Sequence, residues 1–387
     1  MKSKIQIMFY TLLVLLAGFA CTHTTKQHYQ KIKSVSLELS YVPSKWGYFY
    51  EKGNLYIYTQ GYPTHKKIDI ISQNGKVVNS IDLSTLKLKT DRIKTEIKSW
   101  DSCFVLASEQ NELFLINSKS KKTQKISLDS LVYQKTEYSK KRCSYISLSA
   151  FGDMVSGKSV IFNTTIIDTS YHQPENYYQA RLYENMQVRK NPQLIYIKNV
   201  FDTTCKVITE PTWIGKTIRE ENEDFNITPK FAFLENKIIF WFSHNRHIYF
   251  LNPDNLTFER KTPVFSDYTE LEYPRPKLTQ KQPDKPYVLY ALYKGGILYV
   301  HQDKNKYFIC VRHEIPPPEK ADLLAMPDEF DVSYSVIIYD NQWKKQKEIL
   351  LPAQEKFISF LPNGQFVTQS KSKNPRNITL NFYQWTE

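Results

Sequence analysis

The sequence has none of the short signatures that announce a reaction. It has no G-x-S-x-G elbow for a serine nucleophile, no H-E-x-x-H zinc pair, no phosphate-binding loop and no dinucleotide fingerprint. A calcium loop of the D-x-D-x-D-G kind is also missing. Beyond Cys21 the cysteines are Cys103, Cys143, Cys205 and Cys310, and no two are closer than 40 residues. That spacing rules out a C-x-x-C redox motif and the paired spacing of a zinc site. Glycine is scarce, with 11 in 387 residues. No metal and no cofactor is implied.

The longest apolar stretch lies at the start. Met1-Lys2-Ser3-Lys4 leads into residues 5–20, broken only by Gln6, Tyr10 and Thr11, and Gly18 and Ala20 precede Cys21. A cationic start, a short apolar run and a small residue at the end describe an export signal. The run falls short of the roughly 20 residues that a spanning helix needs. Gly18-Phe19-Ala20-Cys21 resembles a bacterial lipoprotein signal, in which the cysteine thiol is acylated with diacylglycerol and becomes the mature N-terminus. Ala20 and Cys21 fit that pattern; Gly18 and Phe19 depart from its strict form of Leu, a small residue, then Gly or Ala.

The resemblance implies removal of 1–20, lipidation of Cys21 and a tether over 21–33. A soluble exported chain cut after Ala20 and an uncleaved anchor are the alternatives. Thr22 to Lys26 carry no acid, which places the expected anchor on the periplasmic side of a membrane of the cell envelope.

Charge then narrows the partners. The chain is formally +13, and +11 once Lys2 and Lys4 leave with the signal (50 basic against 39 acidic residues). Outside the cytoplasm a basic surface suits an anionic membrane, an anionic glycan or an envelope protein rather than nucleic acid. The lysine-rich stretches 119–125, 277–285 and 371–376 read as solvated turn tips. Four cysteines in an exported chain allow disulfides, but "SCFVL", "TTCKVI" and "YFICV" are apolar settings that suit buried thiols equally well.

What the chain has in abundance is aromatic: 27 Tyr, 22 Phe and 6 Trp. Such residues favour pleated, half-buried surfaces. One pattern recurs, an apolar tetrad, a turn of Asn, Asp, Ser, Gly or Pro, and a more polar return strand. It appears as "IDIISQNGKVVNSIDL" from Ile68, "LFLINSKSKKTQKISL" from Leu113, "IYFLNPDNLTFERKTP" from Ile248 and "VIIYDNQWKKQKEILL" from Val336. Second hairpins precede several copies, at 48–60, 231–243 and 287–302, and 357–370 opens a last unit. The spacings cluster near 45 residues, with "SVIFN" (159–163) on a missing register.

Paired hairpins repeated at this period predict an all-β fold, a β-propeller of six or seven four-stranded blades over 34–387. "SVSLEL" (34–39) is expected to close the ring on the last blade. A large β-sandwich or two all-β domains is the alternative. The proline-rich segments 272–287 and 314–331 cannot be central strands and read as inserted loops, while 171–226 fits the repeat worst. Together, a lipoprotein signal, a tether and an aromatic-rich propeller resemble Bacteroidetes lipoproteins with six-bladed, TolB-like propellers. That resemblance implies fold and location and carries over no site residue.

Residue clusters give little chemistry. His244, His247, His301 and Asp303 contain metal-ligand types, but "SHNRH" reads as a hairpin turn. The acids of 219–225 and 327–331 sit within single loops rather than facing each other, as glycoside hydrolysis requires. Trp241 and Trp385 read as packing. Trp343, in the turn "NQWKKQ", reads as exposed and is the one candidate contact residue. The expectation is therefore a membrane-tethered, non-enzymatic binding or scaffold module. The alternative is a propeller hydrolase or lyase acting on a glycan or peptide at the central funnel, since such enzymes place catalytic groups on separate blades. Convergent carboxylates at the funnel would favour the second; Tyr, Lys and Thr without paired acids would favour the first.

Overall fold

The computed structural model describes residues 28–89, 93–107, 110–128, 130, 142–145, 155–156, 159–163, 165–167, 194–200, 207–209, 230–234, 237–243, 245–272, 293–316 and 328–386. The export signal, Cys21 and the first part of the tether lie outside these residues. So do most of 171–226 and all but the ends of the two proline-rich inserts.

The described chain begins with β1 (Tyr29–Glu38). Sheet 1 follows as β2 (Lys45–Glu51), β3 (Asn54–Gly61), β4 (His65–Ser72) and β5 (Val77–Asp82). Sheet 2 is β6 (Ile93–Ser99), β7 (Ser102–Ala107), β8 (Glu112–Ile116) and β9 (Thr123–Ser127). Six shorter strands come next: β10 (Arg142–Tyr145), β11 (Val155–Ser156), β12 (Ser159–Asn163), β13 (Thr165–Ile167), β14 (Leu194–Ile197) and β15 (Val207–Thr209). Of these, β10 pairs with β13, and β11-β12-β14-β15 make sheet 3.

Sheet 4 is β16 (Lys230–Leu234), β17 (Lys237–Trp241), β18 (His247–Leu251) and β19 (Phe258–Pro263). Sheet 5 is β20 (Gly296–Asp303), β21 (Lys306–Arg312), β22 (Tyr334–Asp340) and β23 (Lys345–Leu350). Sheet 6 is β24 (Glu355–Leu361), β25 (Gln365–Ser370) and β26 (Asn377–Trp385), with β1 as its outermost strand.

The strand pairings within these four-stranded sheets are antiparallel, and the sheets pack face to face on their neighbours. Phe49, Ile68 and Ile70 of sheet 1 meet Ile97, Val105 and Phe114 of sheet 2. Trp241 and Phe250 of sheet 4 meet Ile297 and Ile337 of sheet 5. Phe308 and Val336 of sheet 5 meet Phe357 and Phe366 of sheet 6, and Leu361 and Leu380 of sheet 6 meet Leu55 and Ile57 of sheet 1. Ile161 and Tyr196 tie sheet 3 to sheet 4. The protein is an all-β propeller. Five blades, sheets 1, 2, 4, 5 and 6, place their first strand on one central channel.

The recurring tetrads are the third strands of their blades, β4, β8, β18 and β22. A third strand is covered on both faces by neighbouring blades, so Ile68, Ile70 and Ile71, or Val336 and Ile337, are almost fully buried. The fourth strand reaches the rim, and β19 is exposed or half-exposed along its whole length. That is why each return strand reads as more polar. Ring closure also follows the expectation: β1 pairs with β26, with Val35 opposite Leu380, and Ser34 Oγ donates to Asn381 Oδ1 at 2.8 Å. Beneath this seam the Glu355 carboxylate accepts hydrogen bonds from Thr368 Oγ1, Asn381 Nδ2 and Tyr383 Oη.

Two registers differ from the sequence reading. "SVIFN" is the second strand of sheet 3, not a third, because β14 follows it only after a long excursion. In sheet 5 the first hairpin spans 296–312 and turns at Lys304–Asn305, instead of lying within 287–302. Its second strand, "KYFICVR", was hidden behind Lys306 and the short polar turn.

Candidate functional site

The channel is walled by the innermost strands β2, β6, β16, β20 and β24, which enclose about 530 Å³. That volume suits a small-molecule ligand. In four of these strands a lysine stands at the first or second position: Lys45, Lys94, Lys230 and Lys356; in the fifth, Lys294 stands two residues before β20. These positions share one end of the ring, because the innermost strands lead off each blade in the same sense.

The five lysines have different environments. Lys294 and Lys356 are ion-paired with Glu314 and Glu329, at the two described ends of the 314–331 insert. Lys371 bridges to Asp328 at 2.8 Å and Asp331 at 3.2 Å, so the insert's acidic end is fixed to that face. Lys230 turns away from the channel towards sheet 5, where its Nζ lies 3.5 Å from the Ile297 carbonyl. Burial, reinforced by the Arg312 charge, lowers its pKa to about 7.

Lys45 and Lys94 remain in the channel wall, as neighbours on β2 and β6 of adjacent blades. Residues 94, 96 and 98 share one side of β6, a consequence of the two-residue strand period. Lys94 and Glu96 are buried, and Lys98 Nζ pairs with Glu96 Oε1 at 2.5 Å. Lys45 is half-buried and has no hydrogen-bond or ion-pair partner among the described residues. Desolvation, then the neighbouring Lys94 charge, lowers its pKa to about 7 against a weaker pull from Glu96. An ammonium held this way gains from any anion that reaches it.

Tyr58 completes this corner. It stands opposite Gly47 in the β2–β3 ladder, and a Cβ on Gly47 would lie 2.1 Å from its ring. Glycine lets the ring cross close over β2, and the hydroxyl is hydrogen-bonded to the Ile97 backbone. Burial first, then Glu96, holds this phenol well above its ordinary pKa. The wall also carries the rings of Trp46 and Tyr48 from β2, Tyr299 and His301 from β20, and Phe360 from β24, with His301 stacked on Phe360 at 5.6 Å, and the polar side chains of Thr95, Gln302 and Ser359.

Among the described lining residues Glu96 is the only carboxylate, and there is no arginine. Paired acids facing each other, which glycoside hydrolysis needs, are absent from that wall. No group of three or more His, Cys, Asp or Glu among the described residues could hold a metal. His301 belongs to the channel. His247 stands on β18 with Nδ1 3.0 Å from Asn245 Oδ1, Asp303 accepts from the Gly364 amide at 2.6 Å, and His244 lies outside the described residues. The acids of 219–225 lie outside them too.

Trp343 is buried, not exposed. It closes the β22–β23 turn at φ 62°, a left-handed backbone that swings the indole back over the blade. There it packs on Phe250, Tyr307 and Tyr339, with ring centroids 5.0, 4.4 and 5.5 Å away, in the core between sheets 4 and 5. The exposure expected of a turn residue is therefore not found: the indole serves as packing between two blades. Trp241 and Trp385 are packing as expected: Trp241 is fully buried with Nε1 donating to the Ile297 carbonyl at 3.2 Å, and Trp385 stacks on Phe366 at 4.3 Å. Cys103 and Cys310 are buried free thiols.

A second constellation has the right residue types for catalysis and the wrong polarity. His313 Nε2 lies 2.9 Å from Ser335 Oγ, but that hydroxyl donates to Glu348 Oε1 at 2.6 Å. The serine therefore accepts from the imidazole, which is the reverse of a base activating a nucleophile. Glu348 is fully buried and also accepts from Ser266 Oγ and the Asp267 amide, so the group anchors the loop after β19.

No family model matches the chain, and no curated protein matches its sequence. Solved structures do match its shape. A member of the DUF4221 family from Bacteroides vulgatus superposes with a TM-score of 0.66 at 13% identity, covering 93% of this chain and 99% of that one. An exported protein from Bacteroides fragilis gives 0.46 at 11% identity over 92% and 95%. The WD40 domain of Neurospora crassa Pan2 gives 0.40 at 8% identity over 93% and 98%. At such identities the first of these likenesses shows the propeller fold alone.

Proposed function

We propose that the protein is a lipid-tethered, non-enzymatic binding module of the bacterial cell envelope that takes an anionic glycan into its propeller channel. The observation that carries this reading is the wall itself, with Lys45 unpartnered among aromatic side chains and one carboxylate, already ion-paired, in place of a facing pair. Groups arranged in this way can attract and orient an acidic sugar, but they offer no second acid to hydrolyse it. The tether rests on Gly18-Phe19-Ala20-Cys21 and the polar stretch that follows. Sheet 3 is read as the sixth blade, between sheets 2 and 4, a placement supported by the packing of Ile161 and Tyr196 on sheet 4. Six blades would agree with the TolB-like layout.

Affinity electrophoresis in gels containing polygalacturonate or neutral dextran tests the reading, with a parallel assay for new reducing ends and unsaturated products. Retardation by the polyuronate alone, without products, is the expected result. Product formation would instead support the hydrolase or lyase alternative, and no retardation in either gel would remove the glycan.

A further inference from the structure

We infer that Lys45 is the carboxylate-reading contact of a sugar-acid subsite in the channel, where the ligand's ring occupies the aromatic-lined space beside it. The inference deepens the binding reading above and rests on it. Its first support is geometric. Lys45 opens the innermost strand of sheet 1 and lines the cavity of about 530 Å³, yet no described group forms a hydrogen bond or ion pair with its ammonium. A cation taken out of bulk water and left without a partner is costly to the fold. A ligand carboxylate brought beside it would offset that cost.

The surroundings select the kind of anion. Glu96 is already paired with Lys98 at 2.5 Å, and its pull on Lys45 is weaker than the opposing Lys94 charge. Phosphate sites are typically built from a planar guanidinium fork or a nest of backbone amides. The described wall has no arginine to form such a fork. Lys45 is the wall lysine left without a hydrogen-bond or ion-pair partner among the described residues, and its one charge matches that of a carboxylate.

The neutral part of the ligand is read from the remaining wall. Trp46 follows Lys45 in the chain and lines the same cavity, as do Tyr299 and Phe360 from sheets 5 and 6. Rings of this kind present an apolar face, and those of Tyr and Trp also a polar edge, which suits a pyranose with one apolar face and a rim of hydroxyls. The ligand class is therefore a uronic acid, free or as a unit of a larger chain.

The titratable groups around Lys45 set the pH behaviour. Lys94 and Glu96 face it from β6, with Lys98 beyond them; Tyr58 stands behind β2, and His301 faces the same cavity from β20. Lys94 opposes protonation of Lys45 and Glu96 favours it. Binding of a carboxylate requires the protonated ammonium, so affinity falls as pH rises from about 6 to about 9.

The experiment is isothermal titration of the mature full-length chain with D-glucuronate, D-glucose and inorganic phosphate, using wild type, Lys45→Met and Lys45→Arg, each checked by circular dichroism. The expected result is saturable binding of glucuronate, at least about tenfold weaker binding of glucose and phosphate, and a loss of about tenfold or more in Lys45→Met. Lys45→Arg keeps the charge and restores binding, but loses the pH dependence, because a guanidinium stays protonated. Equal binding by wild type and Lys45→Met overturns the inference, as does phosphate binding as tightly as glucuronate.

Polygalacturonate retardation distinguishes the two levels. If it persists while glucuronate binding is independent of Lys45, the subsite falls and the binding module stands. With neither ligand bound, both fall. Lys45-dependent binding with turnover keeps the subsite and overturns the non-enzymatic reading.

Discussion

Lys45→Met should stabilise the protein in acid and lose that advantage in base. In the folded chain the ammonium has a pKa of about 7, against an ordinary value of 10.5. Below about pH 7 the lysine is charged in both folded and unfolded states, and the folded state bears the full cost of holding that charge away from water. As pH rises through 7 the folded form releases its proton and the cost shrinks; above about 10.5 both states are neutral and it vanishes. The wild-type protein therefore gains stability from this group as pH rises, opposite to a paired carboxylate.

A change of 10.5 − 7 sets a ceiling of ~5 kcal/mol. Lys45 is only half-buried and the channel admits water, so screening brings the expected gain to about 2–3 kcal/mol. Methionine keeps most of the aliphatic stem's packing and removes the charge. Urea unfolding of both proteins at about pH 6 and about pH 10 measures the gap, which should fall by more than half between the two. A gap of equal size at both pH values, or a variant less stable than wild type at about pH 6, would refute the reasoning.

Other perturbations test the fold around the site. Trp343→Ala should cost about 3–5 kcal/mol in urea unfolding, as for a buried tryptophan, whereas an exposed turn residue would cost under about 0.5 kcal/mol. Gly47→Ala should lower stability by about 1–3 kcal/mol, because its Cβ meets the Tyr58 ring and forces that side chain to move; calorimetric Tm reads the loss. Cys103, whose thiol is pushed up to about 12 by burial, and Cys310, raised well above its usual range for the same reason, should resist Ellman's reagent until denaturant is added. Rapid reaction of both in the native protein would contradict their burial.

The propeller was legible because its third strands carry a strong local signal. Ile68-Asp69-Ile70-Ile71 and Val336-Ile337-Ile338-Tyr339 are continuous apolar tetrads, since neighbouring blades cover both of their faces. Closure by β1 was legible for a related reason: Val35, Leu37 and Leu39 alternate and need a partner. Register was harder where the turn was short and polar, as at Lys304–Asn305. Trp343 misled because a turn residue normally points outwards, and only its left-handed backbone turns the ring inwards.

The channel corner was hidden for a different reason. Lysines in 119–125 and 371–376 are mostly exposed, in line with their reading as solvated tips. Lys45, Lys94 and Lys230 carry the same letter and stand in the channel wall or the core. The signal that could have separated them is position, a lysine at the head of each blade's first strand. It becomes visible only when the blades are aligned on their innermost strands, and the sequence marks those less strongly than the third. Glu96 and Gly47 likewise acquire meaning only through neighbours on other strands.

A crystal of the full chain soaked in sodium glucuronate tests the central claim most directly. The account predicts density for one sugar ring in the central channel, with its carboxylate about 2.8 Å from Lys45 Nζ. An empty channel would contradict it.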